Sequence, residues 1–269
     1  MSNERELAFR YDLFITPDWR DRFDTLVNES VEIPVEGRVL DVNCGTGAHS
    51  IEIAERLRGK GELVGVDPSI ERIELARAKA LARKLDNVTF QQGVATGLPF
   101  ADSGFDAVIG DASMLAANEI EDVLSEMVRL AEPQGRVVLK LTTRGSFDEF
   151  FSIFWEALLS PDLMDEVWTP LEQMMNERRT ISDAESTAKQ AGLRKVVSFT
   201  SREEFSFEAG QYFLTSPLIE DCFLDEWMAI VPESRRSEVR ERIVSIIERE
   251  RHGAPFEISI KATVMTGTK

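Results

Sequence analysis

The chain of 269 residues contains little cysteine and little histidine, with two of each. Cys44 and Cys222 are far apart and form no CxxC pair, so we expect no disulfide framework and no metal site. No apolar run approaches the ~18 residues of a membrane span, and the opening residues, MSNERELAFRYD, lack an apolar signal core. We therefore expect a soluble, cytoplasmic protein.

The chain also has fewer basic than acidic residues. Lysine and arginine total 31 against 48 acidic residues, which gives a net charge of −17. Binding to phosphate backbones or anionic lipid surfaces requires clustered basic side chains. The composition therefore argues against nucleic acid and membrane partners and favours a small-molecule substrate, while a homodimer is an open alternative.

The run RVLDVNCGTGAHSIEI, residues 38–53, combines three local signals. Val39–Val42 is the short stretch, apolar apart from Asp41, that is typical of a buried parallel strand. Residues at helical spacing follow the turn, and they are Ser50, Ile51, Ile53, Ala54 and Leu57. Gly45 and Gly47 lie between them, where close approach of a ligand and positive φ both favour glycine. A strand, a glycine turn and a helix in this order point backbone N–H groups and a positive helix end at a ligand.

A second strand, Glu62–Asp67, completes a βαβ unit. Asp67 lies 20 residues beyond Gly47 (67 − 47), the separation at which an acid binds the ribose hydroxyls of an adenine nucleotide. A dinucleotide fingerprint would read GxGxxG, whereas Ser50 stands at the third glycine position.

Four motifs resemble the class I S-adenosylmethionine-dependent methyltransferases, in the branch called type 11 or quinone-methyltransferase-like. They are VLDVNCGTG (39–47), GVDPS (65–69), LPFADSGFDAVIGD (98–111) and EPQGRVVLKL (132–141). The resemblance implies a Rossmann-like, doubly wound seven-stranded α/β sheet, mostly parallel with an antiparallel last strand. It also implies S-adenosylmethionine as cofactor and S-adenosylhomocysteine as product. Two residues depart from the family pattern, namely Asn43 in place of glycine and Val94 in place of an acid.

The predicted cofactor-binding residues lie at the carboxyl ends of the strands, and they are Asp41, Asn43, Cys44, Gly45, Thr46, Gly47, Asp67, Pro68, Ser69, Gly93, Val94, Ala95, Asp111 and Ala112. Asp41, under the glycine turn, is expected to accept N–H bonds from it. Gly93–Ala95 is expected to hold the adenine ring through backbone groups and packing, or else to be an ordinary strand exit.

Three residues are candidates for catalysis. Asp111 ends the fourth strand, where it could bind substrate, contact the donor's ammonium, act as a base, or cap the following helix. His49 lies in the first helical turn beside the expected ligand, although a packing or surface role is the alternative. Tyr11 belongs to an N-terminal helix that the resemblance places over the donor.

We predict a single methyltransferase domain over 1–269. It comprises N-terminal helices (1–30), a donor-binding core (31–145), two helical insertions (146–179 and 207–252) and the rest of the sheet (180–206 and 253–269). The N-terminal helices are expected to divide near Thr16–Pro17, with Thr16 capping the second.

The insertions carry more large apolar residues than packing on a sheet requires, which suggests an apolar substrate cap. The predicted substrate pocket consists of Tyr11, Trp19, Met114, Phe154, Trp155, Trp168, Tyr212, Phe213 and Trp227. The alternatives are a helical subdomain with its own core, or a dimer surface.

Methyl transfer depends mainly on positioning the reactants and excluding water, so it needs no triad and no metal. The apolar insertions and the acidic composition favour a small hydrophobic acceptor that is methylated on oxygen or carbon. One alternative is a non-catalytic protein that binds S-adenosylmethionine or S-adenosylhomocysteine as a regulator or assembly factor, in keeping with Val94 and the lack of an obvious base. The other, an NAD(P)-dependent oxidoreductase, is disfavoured by the absence of GxGxxG.

Overall fold

The structure is a computed structural model that describes residues 3–57, 59–159 and 161–269, without the side chains of residues 161, 162 and 165. Within these residues seven strands form one sheet. They are β1 (Gly37–Val42), β2 (Gly61–Asp67), β3 (Val88–Gln92), β4 (Phe105–Asp111), β5 (Ala131–Thr142), β6 (Arg194–Phe207) and β7 (Phe256–Thr268). Their order across the sheet is β3-β2-β1-β4-β5-β7-β6. β3, β2, β1, β4 and β5 are parallel to one another, and β7 is antiparallel to β5. The expected doubly wound sheet is confirmed.

Helices connect the parallel strands and continue beyond them. They are α1 (Glu4–Arg10), α2 (Asp21–Ser30), α3 (Ala48–Leu57), α4 (Ile70–Ala82), α5 (Ile120–Leu130), α6 (Asp148–Leu158), α7 (Pro161–Asn176), α8 (Ile181–Gln190), α9 (Gly210–Thr215), α10 (Pro217–Cys222), α11 (Leu224–Ala229) and α12 (Arg236–Glu250), together with a short 3₁₀ turn at Glu233–Arg235.

The N-terminal helix continues through the proline that was expected to divide it. Residues Tyr11–Arg20 form a π-helical segment between α1 and α2, and the N–H of Asp21 bonds to the carbonyl of Thr16, five residues back. Pro17 lies inside this segment. Proline cannot donate the N–H bond of a regular α-turn, and a wider turn is one way for a helix to continue past it. The predicted break and the Thr16 cap are therefore wrong.

Alternate residues of β1 pack into two hydrophobic cores, one on each face of the sheet. Leu40 and Val42 pack on the face covered by α5 and α8. Val39 faces the other side, among residues of α2, α3 and α4. This alternation is what a strand covered on both faces requires, and it places the polar Asp41 on the side of α3.

The described chain divides into two compact units. The first comprises Met1–Thr142, Thr180–Ser201 and Ala262–Lys269, and the second comprises Thr143–Arg179 and Arg202–Lys261. The second unit thus includes a few more residues than the predicted insertions. It has its own aromatic core, in which the Phe150 ring stacks on Trp227 at 4.2 Å and lies 5.3 Å from Phe213.

Gly65 lets β2 pack closely beside β3, and we expect Gly65→Ala to overpack this region. The added Cβ would lie 2.5 Å from Cδ1 of Phe90 and 3.0 Å from Sγ of Cys44. We expect the free energy of unfolding in urea to fall by about 1–3 kcal/mol. The double variant Gly65→Ala/Phe90→Leu should lose less than the sum of the two single losses, because the smaller side chain makes room. Strictly additive losses would contradict this packing.

Candidate active site

The glycine turn follows β1 in a backbone conformation that its residues are suited to adopt. Asn43, Gly45 and Gly47 have φ values of +57°, +59° and +77°. Asparagine is one of the few side chains that tolerates this region, which explains how it replaces a glycine. At Gly47 a Cβ would lie 2.8 Å from both Ala76 and Phe90, so glycine is needed for α3 to begin where it does.

Asp67 attaches this turn to the end of β2. Its Oδ2 accepts the N–H of Gly45 at 2.9 Å and its Oδ1 accepts the N–H of Ser69 at 3.0 Å. Each carboxylate oxygen has a second lone pair, so these bonds leave capacity for hydroxyl donors. The ribose role of Asp67 stays a prediction.

The ends of β1 and β4 meet where the strand order reverses direction. The chain winds outward from β1 through β2 to β3 on one side and from β4 to β5 on the other. In open α/β sheets this switch point forms the ligand crevice. Here Nδ2 of Asn43 donates to the carbonyl of Asp111 at 2.9 Å and ties the two strand ends together.

Asp111 is buried in this crevice, and its two oxygens differ. Oδ1 accepts the N–H of Ser113 at 2.9 Å and its hydroxyl at 2.6 Å. Oδ2 lies 3.2 Å from Nη2 of Arg20, yet it makes no hydrogen bond among the described residues. The indole of Trp19 donates to the Ser113 hydroxyl at 2.8 Å. The structure therefore brings together Trp19 and Asp111, both predicted from sequence, through Ser113.

Tyr11 and Arg20 lie directly on the glycine turn. A Cβ on Gly45 would be 3.0 Å from Cε1 of Tyr11 and 3.2 Å from Nη1 of Arg20. Arg20 donates to the Tyr11 hydroxyl at 2.9 Å and to the Asn43 carbonyl at 2.8 Å. Burial raises the pKa of Tyr11, so the phenol keeps its proton near neutral pH and is not a ready base.

Polar contacts also attach the π-helical segment to the rest of the site. The hydroxyl of Thr46 donates to Oδ1 of Asp12. The same oxygen accepts a hydrogen bond from Nζ of Lys79 at 2.6 Å. The hydroxyl of Thr16 lies 3.4 Å from that of Thr46. The segment is therefore bonded to the glycine turn and to α4, which explains why its side chains cover Gly45.

His49 lies in a buried polar cluster, which favours the packing alternative over a role as a base. Its Nδ1 lies 3.2 Å from Nζ of Lys140, and its Nε2 lies 3.3 Å from Oδ1 of Asn28. Lys140 is fully buried and also donates to Asp24. Burial lowers the pKa of His49 to about 3. The imidazole is therefore neutral at pH 7, and its two nitrogens already have partners.

Among the residues that the structure describes, the turn makes none of the expected bonds to Asp41. Asp41 is fully buried; Oδ2 accepts the hydroxyl of Ser50, and Oδ1 has no partner among the described residues. Because Asp41 points to the side of α3, it bonds to the first turn of that helix. Burial raises the pKa of this carboxyl.

The other predicted cofactor-binding residues lie along the same strand ends. Cys44 is buried, Ser69 caps α4 by accepting the N–H of Arg72, and Pro68 is exposed. Ala112 is buried and its N–H donates to the backbone carbonyl of Lys140, while Met114 is half-buried.

The stretch Gly93–Ala95 follows β3, where adenine binding was predicted. The N–H of Gly93 bonds to the carbonyl of Asp67 at 3.1 Å. The Val94 side chain is 62% exposed. The exposed Val94 is an apolar surface at the position predicted to contact adenine. Adenine binding by this stretch stays a prediction.

Three predicted pocket residues belong instead to the core of the helical unit. Phe154, Phe213 and Trp227 are fully buried, and all three contact Phe150. Their packing supports the alternative of a helical unit with its own core, because rings enclosed in this way offer no surface to a substrate.

The remaining aromatic residues predicted for the pocket keep some exposure. Trp155 and Trp168 pack edge to face at 4.7 Å, and Trp168 is 43% exposed. Tyr212 is 63% exposed. A pocket role for these three side chains stays a prediction.

Sequence reasoning missed Asp12 and Arg20 in the site, and Asp24 and Lys140 in the buried cluster around His49. Lys140 carried a usable signal, because a lysine within the apolar strand VVLKL must find a buried partner. Arg20 and Asp24 carried none, since charged residues on an N-terminal helix are usually exposed.

Fold and site together define a Rossmann-like α/β protein with a ligand crevice at the ends of β1 and β4. Residues 35–177, more than half of the chain, match the family described as a methyltransferase domain. The chain therefore belongs to this methyltransferase family.

Its curated relatives include the demethylmenaquinone methyltransferase of Shouchella clausii, 29% identical over 137 residues that cover 51% of this chain and 57% of that protein. The enzyme of the same name from Deinococcus radiodurans is 37% identical over 125 residues, which cover 45% and 51%. This chain thus matches only about half the length of these relatives.

Solved structures share the fold. The YcgJ protein of Bacillus subtilis has a TM-score of 0.57 at 20% identity, with 93% of this chain and 98% of that chain covered. A phosphoethanolamine N-methyltransferase of Haemonchus contortus in complex with S-adenosyl-L-methionine has a TM-score of 0.57 at 15% identity, with 99% and 57% covered.

In the described part of this chain, no helix combines the length and apolarity that a bilayer crossing demands.

The buried His49 predicts a stability that falls with acidification. Its pKa of about 3 in the folded state lies below the ordinary value of 6.5, so the unfolded chain binds more protons below about pH 6.5. We expect the urea midpoint to drop between about pH 7 and about pH 5. His49→Asn should reduce this drop, whereas His252→Asn, at an exposed position, should not. Equal pH dependence in the wild type and His49→Asn would contradict the assignment.

Proposed function

We propose that this chain is an S-adenosylmethionine-dependent methyltransferase that acts on a small hydrophobic acceptor, at oxygen or carbon. The observation that carries this proposal is the glycine turn at the switch point of the sheet, held by the carboxylate of Asp67. This is the position at which such sheets bind a nucleoside ligand.

The residues of the crevice fit such a donor. Gly45 presents no side chain to the space in front of the turn, and Asp111 offers a buried oxygen without a hydrogen bond among the described residues. Asp67 would accept the ribose hydroxyls, and the exposed Val94 would offer an apolar surface to the adenine ring. When bound, S-adenosylmethionine supplies a methyl group on a positively charged sulfur.

The chain's own contribution would be to position the reactants and exclude water. Trp19 and Tyr11 are buried apolar surfaces beside Asp111 and the turn. Neither Tyr11, with its raised pKa, nor His49, in its buried cluster, is suited to act as a base. Among the three candidates this leaves Asp111 as the one that could act as a base. This arrangement suits methyl transfer, because positioning accounts for most of its acceleration.

The nature of the acceptor is suggested by the relatives. Those named demethylmenaquinone methyltransferase act, by that name, on a quinone precursor, a small hydrophobic molecule. A similar acceptor for this chain agrees with its net charge of −17, which disfavours large polyanions.

The first test is calorimetric titration of the purified chain with S-adenosylhomocysteine and, separately, with NAD. We expect the former to bind and NAD not to bind. Incubation with labelled S-adenosylmethionine and a panel of quinols, phenols and carboxylic acids should then transfer label to a quinol or phenol. Binding of NAD alone would overturn the proposal, and donor binding without transfer to any acceptor would favour the regulator alternative.

Gly45→Ala is a sharper test of where the donor lies. We expect it to abolish binding of S-adenosylhomocysteine, because the methyl group lies on the side of the turn that faces Tyr11 and Arg20, at a φ of +59° that disfavours alanine. Gly59→Ala is the matched control, since Gly59 also has positive φ but nothing lies within 4 Å of its Cβ position. Loss in both variants, or in neither, would mean that the donor does not lie on Gly45.

A further inference from the structure

The aromatic core of the second unit contains a hydrogen-bond donor that its own side chains do not satisfy. Trp227, on α11, is fully buried, and its Nε1 has no hydrogen-bond partner among the described residues. Phe150 and Phe223 stack on the indole, with ring centroids 4.2 Å and 5.5 Å away. These contacts use the faces of the indole and leave the N–H at its edge.

A buried N–H without a partner costs free energy that a hydrocarbon ring in the same place would not. Phe147, Phe150 and Phe151 are almost fully buried beside Trp227, so the core is otherwise built of such rings. Buried donors in folded proteins normally bond to protein, water or a ligand. The indole N–H of Trp227 therefore indicates a hydrogen-bond acceptor that the described chain does not itself supply.

Arg178 adds a second group of donors to the same cluster. Its guanidinium carbon lies 5.0 Å from the ring centroid of Phe147 and 5.6 Å from that of Phe151. The indole of Trp227 lies 5.3 Å and 6.0 Å from the same two rings. Arg178 is half-buried, whereas the rings beneath it are almost fully buried. A ligand that reaches the indole edge therefore enters beside Arg178, the outermost side chain of the cluster.

The charges around Arg178 decide which kind of oxygen fits. Burial lowers the pKa of its guanidinium. The carboxylates of Glu226, Glu177 and Asp148 act in the opposite direction without cancelling that effect. These three negative charges would repel an anionic ligand, whereas a carbonyl or phenol oxygen accepts from N–H groups without adding a charge. An uncharged oxygen is therefore the better match.

We propose that this cluster binds an uncharged oxygen of an aromatic methyl acceptor, of the phenol or quinol class, with Trp227 and Arg178 as the donors. The inference rests on the proposed function, because it takes the ligand to be the methyl acceptor. Nε1 of Trp227 donates to the oxygen, and the guanidinium of Arg178 donates a second N–H. The rings of Phe147 and Phe151 offer apolar surface to the acceptor's ring. Trp227 and Arg178 are then specificity-determining residues that select acceptors with an oxygen on the ring.

The indole N–H signals of the ¹⁵N-labelled full chain report this contact by nuclear magnetic resonance. The chain has four tryptophans, and Trp227→Phe identifies the signal of Trp227. Titration with 2-naphthol should shift this signal downfield, because the N–H gains an acceptor. Naphthalene, which has the same rings without the oxygen, should not shift it in this way. A Trp227 signal that 2-naphthol leaves unmoved would overturn the inference.

Calorimetry separates the two donors from simple packing. Wild-type protein should bind 2-naphthol about tenfold more tightly than naphthalene or 2-naphthoate. Trp227→Phe and Arg178→Met should each weaken 2-naphthol binding about fivefold and leave naphthalene binding unchanged. Arg249→Met is the matched control, at an arginine of the same unit that is 61% exposed, and it should change neither affinity.

Two results of this titration would contradict the assignment. Equal losses for 2-naphthol and naphthalene in both variants would mean that the substitutions disturb only packing. Tighter binding of 2-naphthoate than of 2-naphthol would mean that the site takes an anion. Binding of S-adenosylhomocysteine by each variant checks that the chain is folded.

Failure of this inference is distinguishable from failure of the proposed function. Wild-type protein that binds S-adenosylhomocysteine but not 2-naphthol overturns the inference alone. Wild-type protein that binds 2-naphthol at Trp227 but does not bind S-adenosylhomocysteine overturns the proposed function, and the assignment of this cluster to a methyl acceptor falls with it.

Discussion

A buried lysine ammonium needs a negatively charged partner. In the first unit, the pairing of Lys140 with Asp24 fixes the position of α2 against β5. Lys140 lies on the face of β5 that packs against α2 and α3, and it is fully buried. Burial acts to lower its pKa, but Asp24, Asp111 and Asp41 outweigh that effect and raise it. The ammonium therefore stays charged, and α2 is held where Asp24 can reach it.

The position of α2 has consequences at the ligand crevice. Because the π-helical segment is continuous with α2, anchoring Asp24 also places Arg20, four residues earlier, beside the end of β4. The wider helical turn carries the chain past Pro17 without a break, so Tyr11 and Trp19 reach the same crevice. The buried Lys140 on β5 thus holds α2, and with it the helical segment whose side chains cover the glycine turn.

The order of strands and helices was predictable because it depends on local pattern. Apolar runs, glycine turns and helical spacing repeat often enough between Gly37 and Thr142 to leave few arrangements open. The break at Pro17 was wrong, since a propensity rule was overridden by tertiary contacts on both sides of the proline. For His49 the sequence left both a site role and a packing role open. Its position in the first turn of α3 was correct, but a helix has more than one face, and spacing alone does not say which face meets the ligand.

The sequence by itself determined the strands β1 to β5, the glycine turn and the acid at Asp67, because each is specified by residues close together in the chain. The seven-stranded sheet with its antiparallel last strand was implied by the family resemblance. Tertiary structure alone decided that Asp41 bonds to Ser50, that Phe154, Phe213 and Trp227 pack into a core, and that Arg20 meets Asp111. Arg20 and Asp111 are far apart in sequence, as are Phe154, Phe213 and Trp227, whereas Asp41 and Ser50 are nine residues apart and meet because both point to the side of α3. All of these pairings follow from burial, since an enclosed charge or ring takes whichever partner the fold brings within reach.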